Sequence, residues 1–201
     1  MPGELEALKQ ECAKCNRCPL GATRLNPVFS DGNPKAEVML IGEAPGATED
    51  ETGLPFVGQS GQLLDKILGS IGLSRKENVY ICNTIKCRPP GNRAPFPAEK
   101  DACRRFLDKQ IELVAPKVIL LCGGTAAASM LPAGTPGITK IRGRWFDAPP
   151  PAPAGAKMMP IFHPSYLLRS EARDEGSPRW LMWQDMKEIR KYLEGFGAAV
   201  P

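Results

Sequence analysis

Four short apolar runs of strand length alternate with longer segments in which apolar residues recur at helical spacing. The predicted strands cover Glu37–Ile41, Asn78–Ile85, Lys117–Cys122 and Lys157–Phe162. The predicted helices cover Val57–Ile71, Ala98–Val114, Thr125–Leu131 and Pro178–Leu193. Because these two periodicities distinguish strands from amphipathic helices, the order of elements predicts a parallel sheet with helices on both faces. The fold class is α/β, and one domain over residues 1–201 accounts for the length.

Charge and hydropathy limit the surroundings in which the chain works. A formal net charge of +4 permits an anionic partner without requiring one. No apolar run approaches the ~20 residues that cross a bilayer, and the N-terminus lacks the basic start and apolar stretch of a secretory signal. We therefore expect no membrane association and a location in the cytosol, where thiols stay reduced.

Three unusual motifs follow three of the predicted strands. The segment Gly42–Gly46 follows the first strand, Asn83 ends the second, and His163, the only histidine, follows the last. In open α/β sheets the ligand crevice lies beyond the carboxyl ends of the strands. The sequence therefore predicts one site at this edge of the sheet.

Four of the seven cysteines have spacing suited to a metal or cluster. Cys15 and Cys18 form a Cys-x-x-Cys pair, and Cys87 and Cys103 flank a proline-rich loop. Cys12 could replace one member of the pair, since Cys12-x-x-Cys15 chelates equally well. The residues alone leave zinc and an iron–sulfur cluster open, and four unrelated buried cysteines are the alternative.

The acidic loop after the first strand is unlike a phosphate cradle, because it has no lysine. Glu43, Glu49 and Asp50 would repel a bare phosphate, whereas a carboxylate beside a tight loop can orient water or stabilise positive charge. A solvated turn is the alternative. Phe56 is either a core aromatic or a stacking platform.

The chain resembles the iron–sulfur uracil-DNA glycosylases, usually called family 4, over nearly its whole length. The resemblance rests on Gly42-Glu43-Ala44-Pro45-Gly46 with Glu49-Asp50, Gly53-Leu54-Pro55-Phe56-Val57-Gly58, Asn83-Thr84-Ile85-Lys86-Cys87-Arg88-Pro89-Pro90 and His163-Pro164-Ser165-Tyr166-Leu167-Leu168-Arg169. It implies a three-layer α/β/α sandwich around a central, mainly parallel four-stranded sheet. It also implies excision of uracil from DNA in base excision repair, leaving an abasic site.

The resemblance further implies a 4Fe–4S cluster held by Cys15, Cys18, Cys87 and Cys103, and so excludes Cys12 as a ligand. The cluster would staple the N-terminal segment to the 87–103 loop. A related branch that becomes trapped on its product carries an inserted basic loop. Because this chain has no such insertion between Cys87 and Cys103, we expect turnover.

Site roles follow from the same resemblance. A glycosylase must flip its base out of the stack, and Phe56 would stack on that base while Asn83 reads its Watson–Crick edge. His163 would donate a hydrogen bond to a uracil oxygen, and Glu43 would orient the attacking water. Ala44 would line the base pocket with Glu49, which we expect to reject thymine.

The expected partner is uracil-containing DNA, single- or double-stranded, bound by a monomer in a prokaryotic cytoplasm at the nucleoid. Leu167 would insert into the vacated stack. The residues expected to contact phosphates are Ser165, Arg169, Lys86, Arg88 and Arg93. Two other functions stay open: a cluster-stapled DNA-binding module without catalysis, and a glycosylase for another deaminated base such as hypoxanthine.

Overall fold

The structure is a computed structural model that describes residues 2–170 and 172–195. It contains strands that we number in chain order: β1 (Asp31–Gly32), β2 (Val38–Gly42), β3 (Val79–Asn83), β4 (Val118–Cys122), β5 (Phe146–Asp147) and β6 (Lys157–Ile161). The helices are α1 (Pro2–Ala13), α2 (Ala47–Thr52), α3 (Gln59–Gly69), α4 (Pro97–Val114), α5 (Gly124–Met130), α6 (Ile138–Ile141), α7 (Pro164–Leu168) and α8 (Pro178–Gly195).

The strands form one mixed sheet in the order β1-β3-β2-β4-β6-β5. The four inner strands run parallel to one another, and the two outer strands are antiparallel to their neighbours. The α/β fold class is confirmed, but the expected number of four strands is too small. The additional strands are two residues long, which is too short for any periodicity to appear in the sequence.

Both faces of the sheet are buried, so the central strands are apolar throughout. Along β2, Val38 and Leu40 pack on one face, and Met39 and Ile41 pack on the other. The first face meets buried side chains of α3, α7 and α8. The second face meets those of α4 and α5. Helices therefore cover the sheet on both sides, which gives the predicted three layers.

The helices that the sequence did not predict are mostly short. They include α2, α6 and α7, each of four to six residues, and also α1 at the N-terminus. Of these short helices, α2 directly follows the Gly42–Gly46 motif, and α7 directly follows His163. Among the described helices, none combines the length and apolarity required to cross a membrane.

Candidate active site

A pocket of about 370 Å³ opens beyond the carboxyl ends of the parallel strands. This volume is in the range of small-molecule sites. The pocket is lined by Glu43, Ala44, Pro45, Gly46, Glu49, Phe56, Ser60, Asn83, Pro89, Asn92, Arg93, Gly123, Gly124, His163 and Ser165. The three motifs that follow separate strands in the sequence thus meet around one cavity.

Asn83 lines the pocket and carries a buried amide oxygen that has no partner among the described residues. It is the last residue of β3, lies opposite Gly42 of β2, and is 1% exposed. An unpaired buried polar atom costs about 1–3 kcal/mol, so this oxygen marks a position where a ligand donor would be favourable.

Phe56 supplies an aromatic wall and is held in a strained backbone conformation. Its φ of 54° is in the left-handed region, which costs a non-glycine residue on the order of 1–3 kcal/mol. Arg75 donates hydrogen bonds to the carbonyls of Pro55 at 3.0 Å and Phe56 at 2.7 Å. The Phe56 and His163 ring centroids are 5.8 Å apart. Phe56 is therefore both a core residue and a pocket wall.

Gly61 allows the Phe56 loop to approach α3, and we expect Gly61→Ala to disrupt it. A Cβ at Gly61 would lie 1.9 Å from the Phe56 carbonyl oxygen. Relieving that overlap must shift the loop, at a cost of about 1–3 kcal/mol of stability. The midpoint temperature of thermal unfolding should therefore fall. The control is Gly69→Ala in the same helix, where nothing lies within 4 Å; equal effects of the two variants would contradict this account.

Glu49 joins the two loops that form one side of the pocket. Its Oε1 accepts hydrogen bonds from the backbone N–H groups of Val57 at 2.9 Å and Gly58 at 2.8 Å. Its Oε2 accepts one from Gly46 at 3.1 Å. Glu49 lines the pocket, and these three bonds hold the Gly42–Gly46 loop against the Phe56 loop.

Glu43 has a half-buried side chain next to the imidazole of His163. Its backbone carbonyl accepts a hydrogen bond from Thr84 Oγ1 at 2.6 Å, which fixes the loop to the end of β3. Its carboxylate makes no hydrogen bond or ion pair within the described ranges. The negative charge of Glu43 acts to raise the pKa of His163. The carboxylate is thus available to a water molecule or a developing cation.

His163 has a defined tautomer when neutral. The backbone N–H of Ser165 donates to His163 Nδ1 at 3.2 Å, and Ser165 Oγ lies 2.8 Å from the same atom. Because Nδ1 accepts, the ring proton is on Nε2. Burial lowers the pKa of His163 from its ordinary value of 6.5, and the charge of Arg169 lowers it further. The imidazole is therefore a neutral N–H donor at the pocket.

The predicted cysteine site lies directly behind the pocket. Cys18, Cys87 and Cys103 pack around Leu20 and Ile85. The thiols of Cys18 and Cys15 both act electrostatically on Cys87. Burial raises the pKa of the Cys87 thiol, and it raises that of Cys103 to about 11. The fold therefore brings together the four cysteines from three separate chain segments.

Two further groups border the cysteine site. Arg24 donates to Cys87 Sγ at 3.2 Å and to the Ala13 carbonyl at 2.7 Å, so that a cation contacts one thiol. Cys12, the alternative ligand, is 1% exposed and packs with Phe29 and Phe106. Burial raises the pKa of Cys12 to about 12.

Two of the predicted DNA contacts are contradicted by burial. Lys86 is 0% exposed, and its ammonium donates to the Asn83 carbonyl oxygen, so the prediction that it binds phosphate is wrong. Leu167, the predicted wedge, is 2% exposed and packs in the core that covers one face of the sheet. The exposed apolar side chains of α7 are instead Tyr166 and Leu168.

The other predicted contacts lie at or near the pocket mouth. Ser165 lines the pocket, and Arg169 is exposed at the end of α7. Arg88 donates to Asn92 Oδ1 at 2.7 Å. Arg93 lines the pocket and pairs through both terminal nitrogens with Glu99. Its guanidinium is therefore partly neutralised before any phosphate arrives.

Sequence reasoning missed the residues that support the site from behind. Arg75 is the clearest case, because its two bonds to the Phe56 loop depend on anchoring by Asp31 at 2.9 Å and Asp65 at 2.9 Å. Arg24 is the second case. An isolated arginine belongs to no sequence motif. The role of Arg75 becomes visible only through its bonds to the strained Phe56 loop, and that of Arg24 only through its contact with the Cys87 thiol.

The family model described as the uracil DNA glycosylase superfamily matches residues 29–187, and the chain belongs to this superfamily. Three curated relatives named type-4 uracil-DNA glycosylase indicate the branch. The Thermotoga maritima protein is 40% identical, with 96% of each chain covered. The Archaeoglobus fulgidus protein is 39% identical, covering 85% of this chain and 87% of that protein. The Saccharolobus solfataricus protein is 42% identical, covering 94% and 86%. The chain is thus of type 4.

Proposed function

We propose that the protein removes uracil from DNA by hydrolysing its N-glycosidic bond and leaves an abasic site. The observation that carries this proposal is the unpaired, buried Oδ1 of Asn83 in a pocket that an aromatic ring also lines. The naming of the type-4 relatives as uracil-DNA glycosylases agrees with it.

Uracil fits the hydrogen-bonding pattern of the Asn83 side chain. The amide oxygen accepts from the uracil N3–H, and the amide N–H donates to O4. Cytosine presents an acceptor at N3 and a donor at the exocyclic nitrogen, so both contacts would become repulsive. The base must leave the helix to reach this pocket, and the Phe56 ring offers a stacking surface for it.

Bond cleavage sends negative charge into the base and positive charge into the sugar. The Nε2–H of His163 donates to the uracil oxygen on which charge accumulates, a type of interaction worth roughly 3–4 kcal/mol in other enzymes. The carboxylate of Glu43 orients the attacking water and stabilises the sugar cation. Both groups line the pocket, so they act on one bound nucleotide.

The cysteine residues fit a 4Fe–4S cluster held by Cys15, Cys18, Cys87 and Cys103. Within the described part of the chain, no three Cys, His, Asp or Glu residues are arranged to hold a single metal ion. In a four-iron cluster each thiolate binds a different iron, and four cysteines are the usual ligands. The cluster would supply structure, joining the segment after α1 to the 87–103 loop within one domain.

DNA binding is expected from the charges around the pocket mouth. Ser165, Arg169, Arg88 and Arg93 would contact phosphates, and screening by salt should weaken this contact. We propose that one monomer acts on one lesion, at the chromosome in the cytoplasm. Size-exclusion chromatography with and without an oligonucleotide tests the stoichiometry.

An oligonucleotide panel tests the proposed activity. The protein should release the base from U:G, U:A and single-stranded uracil substrates, which alkali then converts into strand breaks. Substrates with T:G or hypoxanthine serve as comparisons. Binding without strand breaks would favour a DNA-binding module, and faster release of hypoxanthine than of uracil would favour the other glycosylase.

The excision rate should depend on pH through the single histidine. Neutral His163 is the active form, and burial lowers its pKa below 6.5. The rate should therefore be level above pH 6.5 and fall only below that value, as the ring becomes protonated. Since protonation also favours the unfolded chain, stability falls in the same direction. In His163→Gln, this fall of the excision rate below pH 6.5 should disappear. NMR titration of the only imidazole gives the pKa, and a value above 6.5 would contradict the prediction.

A further inference from the structure

Lys86 is a buried cation between the pocket and the cysteine site. Its side chain is 0% exposed. The ammonium donates one hydrogen bond, to the backbone carbonyl of Asn83 at 2.7 Å, and lies 6.0 Å from the Phe29 ring centroid. Within residues 2–170 and 172–195, no carboxylate forms an ion pair with it. One neutral acceptor is a poor replacement for the water that a lysine loses on burial.

Thiols lie close to this ammonium, because Phe29, whose ring it approaches, packs with Cys12 and Cys103. The charge of Lys86 acts on Cys12, Cys82 and Cys103. The next residue in the chain is Cys87, one of the four cysteines of the proposed cluster site. A buried charge is tolerated when opposite charge compensates it. Thiolates bound to a cluster would provide that negative charge, whereas neutral thiols would not.

We propose that Lys86 is a positioning residue that couples the cysteine site to base recognition. Its ammonium balances the negative charge of the thiolate-bound cluster, and the same ammonium holds the carbonyl of Asn83. Asn83 lines the pocket, and its backbone is therefore held in place by a cation whose charge the cluster balances. This inference rests on the proposed function of the pocket and extends it.

Arg24 provides an internal comparison, because it contacts the same cysteine site without contacting the pocket. It donates to Cys87 Sγ and to the Ala13 carbonyl, and it makes no hydrogen bond to the β3 end among the described residues. Loss of Arg24 should therefore affect the cluster alone. Loss of Lys86 should affect both the cluster and the orientation of Asn83.

Four variants of the iron-loaded protein test the proposal: Lys86→Met, Lys86→Gln, Arg24→Met and, as the control, Lys187→Met on the exposed side of α8. Two quantities are measured for each variant. The first is the rate at which an iron chelator bleaches the visible absorbance of the cluster, with iron and sulfide content per chain. The second is the single-turnover rate of uracil excision per loaded molecule.

Lys86→Met should lose iron about 10- to 100-fold faster, the usual effect of removing a group that supports metal ligands. Its excision rate per loaded molecule should also fall at least about 10-fold. Lys86→Gln removes the charge but keeps an amide donor, so it should lose iron quickly and retain more excision than Lys86→Met. Arg24→Met should change iron loss only, and Lys187→Met neither quantity.

The proposal is overturned if Lys86→Met keeps iron and excises uracil at the unmodified rates. If Lys86→Met matches Arg24→Met in both quantities, the coupling to Asn83 is wrong. If both Lys86 variants are insoluble while Arg24→Met is soluble, the role of Lys86 is general stability and the proposal also fails. An unmodified protein that is loaded but inactive instead contradicts the proposed function, and the chelator rates still decide whether Lys86 supports the cluster.

Discussion

Asn83→Leu is expected to reduce kcat/KM for uracil excision by about 100- to 1,000-fold, the effect of losing one donor to a developing anion in other enzymes. The amide N–H would contact O4, over which the departing base spreads its charge, and leucine offers no such donor. Leucine also cannot accept from the uracil N3–H. Steady-state rates on a uracil-containing oligonucleotide provide the measurement.

The same variant should keep its fold. Leucine resembles asparagine in shape, and it replaces a buried amide oxygen that has no partner. Removing an unpaired polar group in this way is nearly neutral or stabilising. The midpoint of thermal unfolding and the affinity for undamaged DNA should therefore stay close to the unmodified values. A parallel loss of stability, DNA affinity and excision would show that Asn83 supports structure rather than recognition.

The inner part of the fold could be predicted because burial on both faces leaves a strong signal. The central strand β2 is apolar at each position from Val38 to Ile41, and the helices that cover it have apolar residues at regular spacing. The edge strand Asp31–Gly32 has no such signal. Its pairing with Ile81 and Tyr80 depends on how the preceding loop packs, which is a tertiary effect.

The site could be predicted because topology brings strand ends together. Parallel strands place Gly42 and Asn83 side by side, and the same edge receives His163. Phe56 shows why two interpretations stayed open. It belongs to the core that covers one face of the sheet and it also lines the pocket, so neither reading excludes the other.

Charged residues were the main difficulty, because their type in the sequence does not reveal their burial. Lys86 and Arg88 are both basic neighbours of Cys87, yet only Arg88 reaches the surface region. All residues from Val79 to Cys87 are buried, so neither charge nor alternation in the sequence distinguishes Lys86 from a surface lysine. For Arg93 the ion pair with Glu99 was equally invisible in the sequence.

Gly42→Ala should strongly slow uracil excision by filling the space between the two side chains that recognise the base. A Cβ at this position would lie 2.4 Å from Asn83 Oδ1 and 2.4 Å from the Cζ atom of Phe56. Both are side-chain atoms, so they can move away, but each movement displaces a wall of the pocket. Displacements of about 1 Å can lower catalytic rates about 100-fold, and we expect a loss of that order.

Stability should fall less than activity in Gly42→Ala. Overpacking of this kind costs about 1–3 kcal/mol, which unfolding in urea can measure. Gly69→Ala is the matched control, since its added methyl group meets nothing within 4 Å. An active Gly42→Ala protein would show that Asn83 and Phe56 can separate without harm, and base recognition would then have to depend on other side chains. A large loss of activity with a nearly unchanged free energy of unfolding would instead show that the base requires the positions of the amide and the ring, which only a residue without a Cβ at position 42 allows.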